Sequence, residues 1–203
     1  MSGKTKTPLR RFLRGESALQ NWVRDGMEAV KNGDREYFDQ AVREDFEDSL
    51  DLDSALQAGH ERENRWDYLL GHAPSKEVVA VELHSAKQNE ISTVIKKRRG
   101  ALEQLKVHLR EGARISKWLW VAAGRVHFAD TEKARRRLDQ NGIEFIGKKV
   151  MARHMPAGKD GKGKAVRTAV RGIRRRRTRR GKSDNDCARK AFRQRGDERP
   201  IRR

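Results

Sequence analysis

Apolar and polar positions along the chain change period several times, and each change marks a predicted element. Leu19, Trp22, Val23, Met27 and Val30 recur at helical intervals after Ser17 and Gln20, whose spacing is that of a capping box. This predicts a helix from Ser17 to Asn32-Gly33. A second helix is expected from Asp34 to about Ser49, with Tyr37, Phe38, Ala41, Val42 and Phe46 on its buried face. From Arg65 the pattern shortens. RWDYLLGH and EVVAVELH, separated by Ala73-Pro74-Ser75, are rich in β-branched and aromatic residues and predict two adjacent strands. In the second, Val78, Ala80, Glu82 and His84 share one face while Val79, Val81 and Leu83 line the other. A strand apolar on both faces belongs inside a covered sheet.

Ser85 and Gln88 repeat the capping-box spacing. Ile91, Val94, Ile95, Leu102, Leu105 and Leu109 then carry a helical stripe to Glu111-Gly112, which predicts a long crossover helix directly after the strand. KWLWVAAG follows as a buried strand, with Trp118 and Trp120 as core residues on one face. Arg125 to Phe128 is expected as a short strand, Asp130 to Gln140 as a helix closed by Asn141-Gly142, and IEFIG as a last strand. The resulting order, ααββαββαβ, predicts an α/β fold in which helices flank a sheet.

Composition changes this picture at the two ends. Hydrophobic residues make up 35% of the 203 positions and charged residues 38%, too few apolar groups for a chain that is globular throughout. Residues 148–203 hold 22 Lys and Arg against 5 Asp and Glu, which leaves 26 and 24 in residues 1–147. Three parts follow: a basic N-terminal tail over 1–15, an α/β domain over 16–150, and an arginine-rich arm over 151–203 that is expected to be disordered when free. Within the arm, Arg167, Arg171, Arg174, Arg175, Arg176, Arg177, Arg179, Arg180 and Lys182 form a dense cationic cluster. Their planar forks and ammonium groups suit phosphates, so the expected partner is nucleic acid, DNA or RNA. A membrane partner is not expected, because Phe192 is the only aromatic residue of the arm. The single Cys187, with no signal peptide and no long apolar run, points to a cytoplasmic protein, nucleoid-associated where its partner is DNA.

Two further patterns carry no chemistry. Gly158, Gly163 and Lys164 have the spacing of a phosphate-binding loop, but Ala165 stands where a hydroxyl should hold the metal, so a linker is the better reading. His60, His72 and His84 fall on different elements and have no cysteine partners, which argues against zinc.

The sharpest constellation is Asp67 on one predicted strand and Glu82-Leu83-His84 on the next. Paired strands would bring two carboxylates together, a donor set suited to a hard cation, with the Leu83 carbonyl as a third oxygen. WDYLL, then VAVELHSAK, then a helix and another buried strand, resembles the PD-(D/E)XK nuclease superfamily over roughly Arg65 to Val121. The resemblance implies a restriction-endonuclease-like mixed sheet flanked by helices and hydrolysis of phosphodiester bonds assisted by Mg²⁺ or Mn²⁺. It further implies metal ligation by Asp67, Glu82 and the Leu83 carbonyl. The chain departs from the pattern in lacking a proline before Asp67 and in having His84 where the family has lysine. An imidazole can orient or deprotonate water near neutral pH. Alternatively Lys87, Lys96 or Lys97 supplies the cation from the following helix, as in some members of the family. The alternative to a nuclease is a nucleic-acid-binding protein with a degenerate site.

Overall fold

The computed structural model describes residues 6–58, 65–87, 90–126 and 132–158, all within the first of two units, Met1–Thr168. The second unit, Ala169–Arg203, lies outside the described residues. The described residues form an α/β fold around one mixed, open sheet of six strands whose spatial order equals their sequence order. These are β1 (Arg24–Asp25), β2 (Phe46–Asp51), β3 (Tyr68–His72), β4 (Glu77–Ala86), β5 (Lys117–Val126) and β6 (Glu144–Phe145). Strands β1 to β4 pair antiparallel; β4, β5 and β6 pair parallel. Parallel neighbours need a crossover, and the helices α4 (Glu90–Leu105) and α5 (Glu132–Gln140) provide both.

The period-two alternation of the central strands divides the core into two layers. Val78, Ala80, Trp118, Trp120 and Ala122 face one side with the buried residues of α4, α5 and an N-terminal helix α1 (Pro8–Phe12). Val79, Val81, Leu119 and Val121 face the other side with Val30, Phe38, Val42, Val150 and Met155. Trp118 and Trp120 are core residues, as expected. Trp118 receives the edge of Trp66 at 4.9 Å and the Arg98 guanidinium at 5.0 Å, a cation–π contact that anchors α4 on the sheet.

The first 50 residues differ most from expectation. In place of two helices, residues 17–49 hold 3₁₀ turns at Ala18–Trp22 and Asn32–Tyr37, the strand β1, a four-residue helix α2 (Gln40–Arg43), and most of β2. Leu19 and Val23 enter one core layer whereas Val30, Phe38 and Val42 enter the other, so no single helical stripe could bury them all. Ser17 caps only the Leu19 amide at 3.2 Å, and Gln20 instead donates to the carbonyls of Arg10, Leu13 and Arg14. β2 is built from FEDSLD, a segment of low strand propensity that its two neighbours impose on it.

The expected N-terminal tail over 1–15 is corrected as well: Leu9 and Leu13 are fully buried, and from Pro8 the chain belongs to the core. The device that docks α1 is Asp48 of β2. Its buried carboxylate accepts hydrogen bonds from the Leu9 amide at 3.1 Å, the Arg10 amide at 3.3 Å and the Thr7 hydroxyl, meeting donors that a helix start leaves open. Opposite Asp48 on β3 is Gly71, where a Cβ would stand 1.9 Å from the Asp48 Oδ1.

Smaller differences concern element ends. Ser85 remains in β4 and α4 starts at Glu90, beyond the expected cap; the Gln88 half of that box lies outside the described residues. The expected short strand at Arg125 is the end of β5. Helix α5 closes at Asn141-Gly142 as expected, with Gly142 at φ +61° and the Ile143 amide bonding back to Leu138 at 3.0 Å. Beyond Val150, Ala152–His154 form a 3₁₀ turn and His154 and Met155 are buried, so the folded part extends past residue 150. A short α3 (Leu52–Ala55) follows β2 and is capped by Asp51.

Candidate functional site

Asp67 lies immediately before β3, where its carbonyl accepts the Leu52 amide at the start of α3. Strand β4 carries Glu82 alongside. The two carboxylates are held by reciprocal backbone bonds: the Asp67 amide donates to Glu82 Oε2 at 3.2 Å, and the Leu83 amide donates to Asp67 Oδ2 at 2.8 Å. Glu82 is fully buried while Asp67 keeps about a quarter of its side chain exposed. Into this pair α4 projects Lys97, whose Nζ donates to Glu82 Oε1 in a short contact and lies 3.7 Å from Asp67 Oδ1.

His84, two residues along β4, shares the Glu82 face. Its Nδ1 is 3.7 Å from Glu82 Oε1 and its Nε2 is 2.9 Å from Glu90 Oε2 on the first turn of α4. A register shift between His84 and Ala86 interrupts the ladder there, and the Trp120 indole donates to the His84 carbonyl at 3.3 Å. The result is a continuous polar chain, Glu90, His84, Glu82, Lys97, Asp67.

Burial dominates the electrostatics. Desolvation and then the neighbouring Asp67 carboxylate push the Glu82 carboxyl up to about 8, against the pull of Lys97. Desolvation raises Asp67 too, opposed by the Lys97 charge and the Leu83 amide. For Lys97, desolvation pulls the ammonium down, but the charges of Glu82 and Asp67 outweigh it and the group is held above its ordinary value. The hydrogen bond from His84, set against a small desolvation, lowers Glu90. Two more carboxylates act on Asp67 from a distance, Asp53 and Asp34. Asp53 pairs with Arg65 at 2.9 Å, and Asp34 accepts from the Tyr68 hydroxyl at 2.5 Å.

Of the residues singled out in the sequence, Asp67, Glu82, the Leu83 backbone and His84 therefore meet in one place. Lys97 joins them, whereas Lys96 is exposed, as its neighbouring position on the helix requires. Lys87 is exposed, and among the described residues its side chain makes no contact with Asp67 or Glu82. His72 lies elsewhere, buried against Ser75 at 2.8 Å. Glu90, Asp34 and Asp53 were not legible as site residues, because their proximity depends on α4 and on the irregular segments around residues 34 and 53. Among the described residues, no group of three or more His, Cys, Asp and Glu side chains is placed to hold a metal ion. The arm residues Arg167, Arg171, Arg174, Arg175, Arg176, Arg177, Arg179, Arg180 and Lys182 lie outside the described residues, as do His60, Gly163 and Lys164. No described helix is long and apolar enough to cross a membrane.

The fold and its polar cluster define a mixed-sheet α/β domain with a buried carboxylate–lysine centre. Comparison with protein-family models, with curated proteins and with solved structures finds no match to this chain.

Proposed function

We propose that the chain is a nucleic-acid-binding protein whose α/β domain hydrolyses phosphodiester bonds with Mg²⁺ or Mn²⁺, in the manner of a restriction-endonuclease-like enzyme. The observation that carries this reading is the convergence of Asp67, Glu82 and Lys97 at one point of the sheet. The surrounding order supports it: an acidic residue enters β3, an acidic triplet sits on β4, and a crossover helix leads to a parallel β5. The donor chemistry fits a hard cation in kind, since two carboxylates with a backbone carbonyl suffice for an ion that keeps several waters. Asp67, Glu82 and the Leu83 carbonyl would hold it. When bound, such a cation supplies charge at the phosphate and a more acidic water.

The chain's own residues divide the remaining work. Lys97 takes the lysine role for which His84 was the first candidate: it faces both carboxylates and is held charged by them, so it can orient water and neutralise developing charge. His84 is tied to Glu90 and touches the centre only through Glu82, which suits a positioning residue. The arm supplies affinity for DNA or RNA.

One observation favours the second reading, a non-catalytic nucleic-acid-binding protein. Lys97 and two backbone amides already satisfy the carboxylates, so the cluster is also a self-contained buried ion pair. The experiment that separates the two is cleavage of single- and double-stranded DNA and RNA with Mg²⁺ or Mn²⁺, and then with a chelator. Cutting should need metal. Glu82→Gln and Lys97→Met should each reduce it by about 10² or more, with binding little changed, whereas His84→Gln should cost less. If the unaltered chain cuts nothing while binding tightly, the hydrolytic reading falls and the binding reading stands.

A further inference from the structure

Residues 1–147 are almost electrically balanced, with 26 Lys and Arg against 24 Asp and Glu, yet their cations are not evenly placed. At the end of the sheet where β4 begins, a cleft of about 650 Å³ opens between α1, the turn joining β3 to β4, and the segment 112–116 that leads into β5. Three of its lining residues are cationic, Arg11, Lys76 and Arg114, and one is acidic, Glu77; Phe12 and Val78 supply an apolar floor. Arg11 and Arg114 are exposed, and among the described residues neither meets a carboxylate. Next to them, Arg10, Arg14 and Arg110 turn their guanidinium groups to backbone carbonyls, of Val23, Leu109 and Leu13, so they too keep an unneutralised charge.

Lys76 is held at the mouth by the turn that joins β3 to β4. Its φ of 59° is the only left-handed value of a non-glycine residue among the described ones, in a conformation where glycine would carry no steric cost. The turn is locked underneath: Ser75 bonds the His72 ring at 2.8 Å, and the Lys76 amide reaches the His72 carbonyl at 2.9 Å. A strained residue persists where its surroundings fix it, and here the side chain so presented is a cation. Its ion pair with Glu47, at 3.6 Å, is a largely solvent-exposed one of small worth.

Val78 and Glu82 lie on the same face of β4, four residues apart, which separates the cleft from the carboxylate centre by roughly 13 Å along the strand. Phosphates of one B-form strand succeed one another every ~3.4 Å along the axis, so a bound strand would cover that span in about four steps. We propose that this cleft seats a backbone phosphate of the nucleic acid, held by Arg11, Lys76 and Arg114, and so sets the register of the strand relative to Asp67 and Glu82. This rests on the nucleic-acid reading above and adds to it a second contact, independent of the arm.

The test uses the full chain and labelled duplex DNA and single-stranded RNA, with affinity measured by fluorescence anisotropy between roughly 50 and 200 mM salt. The variant Arg11→Gln/Arg114→Gln removes two charges at exposed positions; Arg24→Gln/Arg136→Gln removes two charges elsewhere and is the control. Lys76→Gly, which suits the positive φ, removes the third cation without disturbing the turn. The slope of log affinity against log salt should become shallower by about 1 to 2 in the cleft double variant and by about 1 in Lys76→Gly, with little change in the control. A cleft variant that keeps the unaltered slope, or a control that loses as much, overturns the proposal while leaving the nucleic-acid reading intact. A full chain that binds neither DNA nor RNA overturns both.

Discussion

Asp48 and Gly71 show how a single polar residue organises the N-terminal part of the molecule. The Asp48 carboxylate replaces water for the amides that open α1, and Gly71 leaves the room in which that carboxylate stands. Asp48→Ala should therefore cost about 1–3 kcal/mol by stranding buried amide groups. Gly71→Ala should also destabilise, since its Cβ would meet the Asp48 Oδ1 at 1.9 Å. The two losses should not add in full, because removing the Asp48 carboxylate removes the closest collision and leaves only the Pro8 Cβ at 3.0 Å; denaturant unfolding of both single variants and the double variant should give a coupling of about 0.5–3 kcal/mol. At this scale the sequence is uneven to read. Glu82 was legible because a charged residue interrupts an otherwise apolar strand. Asp48 was not, because a run such as FEDSLD has the composition of a solvated helix, and only its pairing with β3 makes the aspartate internal.

Elements were legible where one period served one buried face. β3, β4, β5 and α5 lie where their spacing places them, with ends displaced by a few residues, whereas α4 is shorter than expected at both ends, running from Glu90 to Leu105 instead of from Ser85 to Glu111-Gly112. The segment 17–49 was not, since its apolar residues serve two core layers and no helical period can express that. The β3–β4 hairpin offers a test at this scale. Burial lowers His72 below its ordinary value, so the folded chain holds it neutral. Its contribution to stability is present above the unfolded-state value of about 6.5 and is lost as pH falls through the lower folded-state value. Thermal unfolding of the parent chain and of His72→Gln, compared at neutral pH and at successively lower pH, should show the gap between them narrowing with acid. A gap that stays constant would mean that His72 does not titrate with folding. The outermost strands among the described residues, β1 and β6, are two residues each, the short kind of edge strand that offers another chain little to pair with.

At the scale of the whole molecule, charge and fold divide at a different point from the one composition suggests. The basic excess begins near Lys148, but Val150 and Met155 pack into the core, so a cut after Val150 would strip part of one layer. Truncation after Gly158 should leave a cooperatively folded domain and remove most of the affinity for DNA or RNA, with calorimetry reporting the first and anisotropy the second. Equal affinity of the truncated and full chains would show that the arm is not the main source of binding.

The same closure by distant segments has a consequence for how the chain is made. Leu13 bridges to Leu109, the Arg14 amide bonds the His108 carbonyl at 2.8 Å, and Phe38 bridges to Val150, whose amide and carbonyl bond Tyr37 and Asp39. Each of these ties joins stretches about a hundred residues apart, and loops of that length close late. During synthesis the amino-terminal stretch must wait, with Leu9 and Leu13 unsheltered, until nearly all of the domain has left the ribosome. The arginine-rich residues 159–203 emerge only afterwards, so the domain can close before most of the chain's excess positive charge has been made.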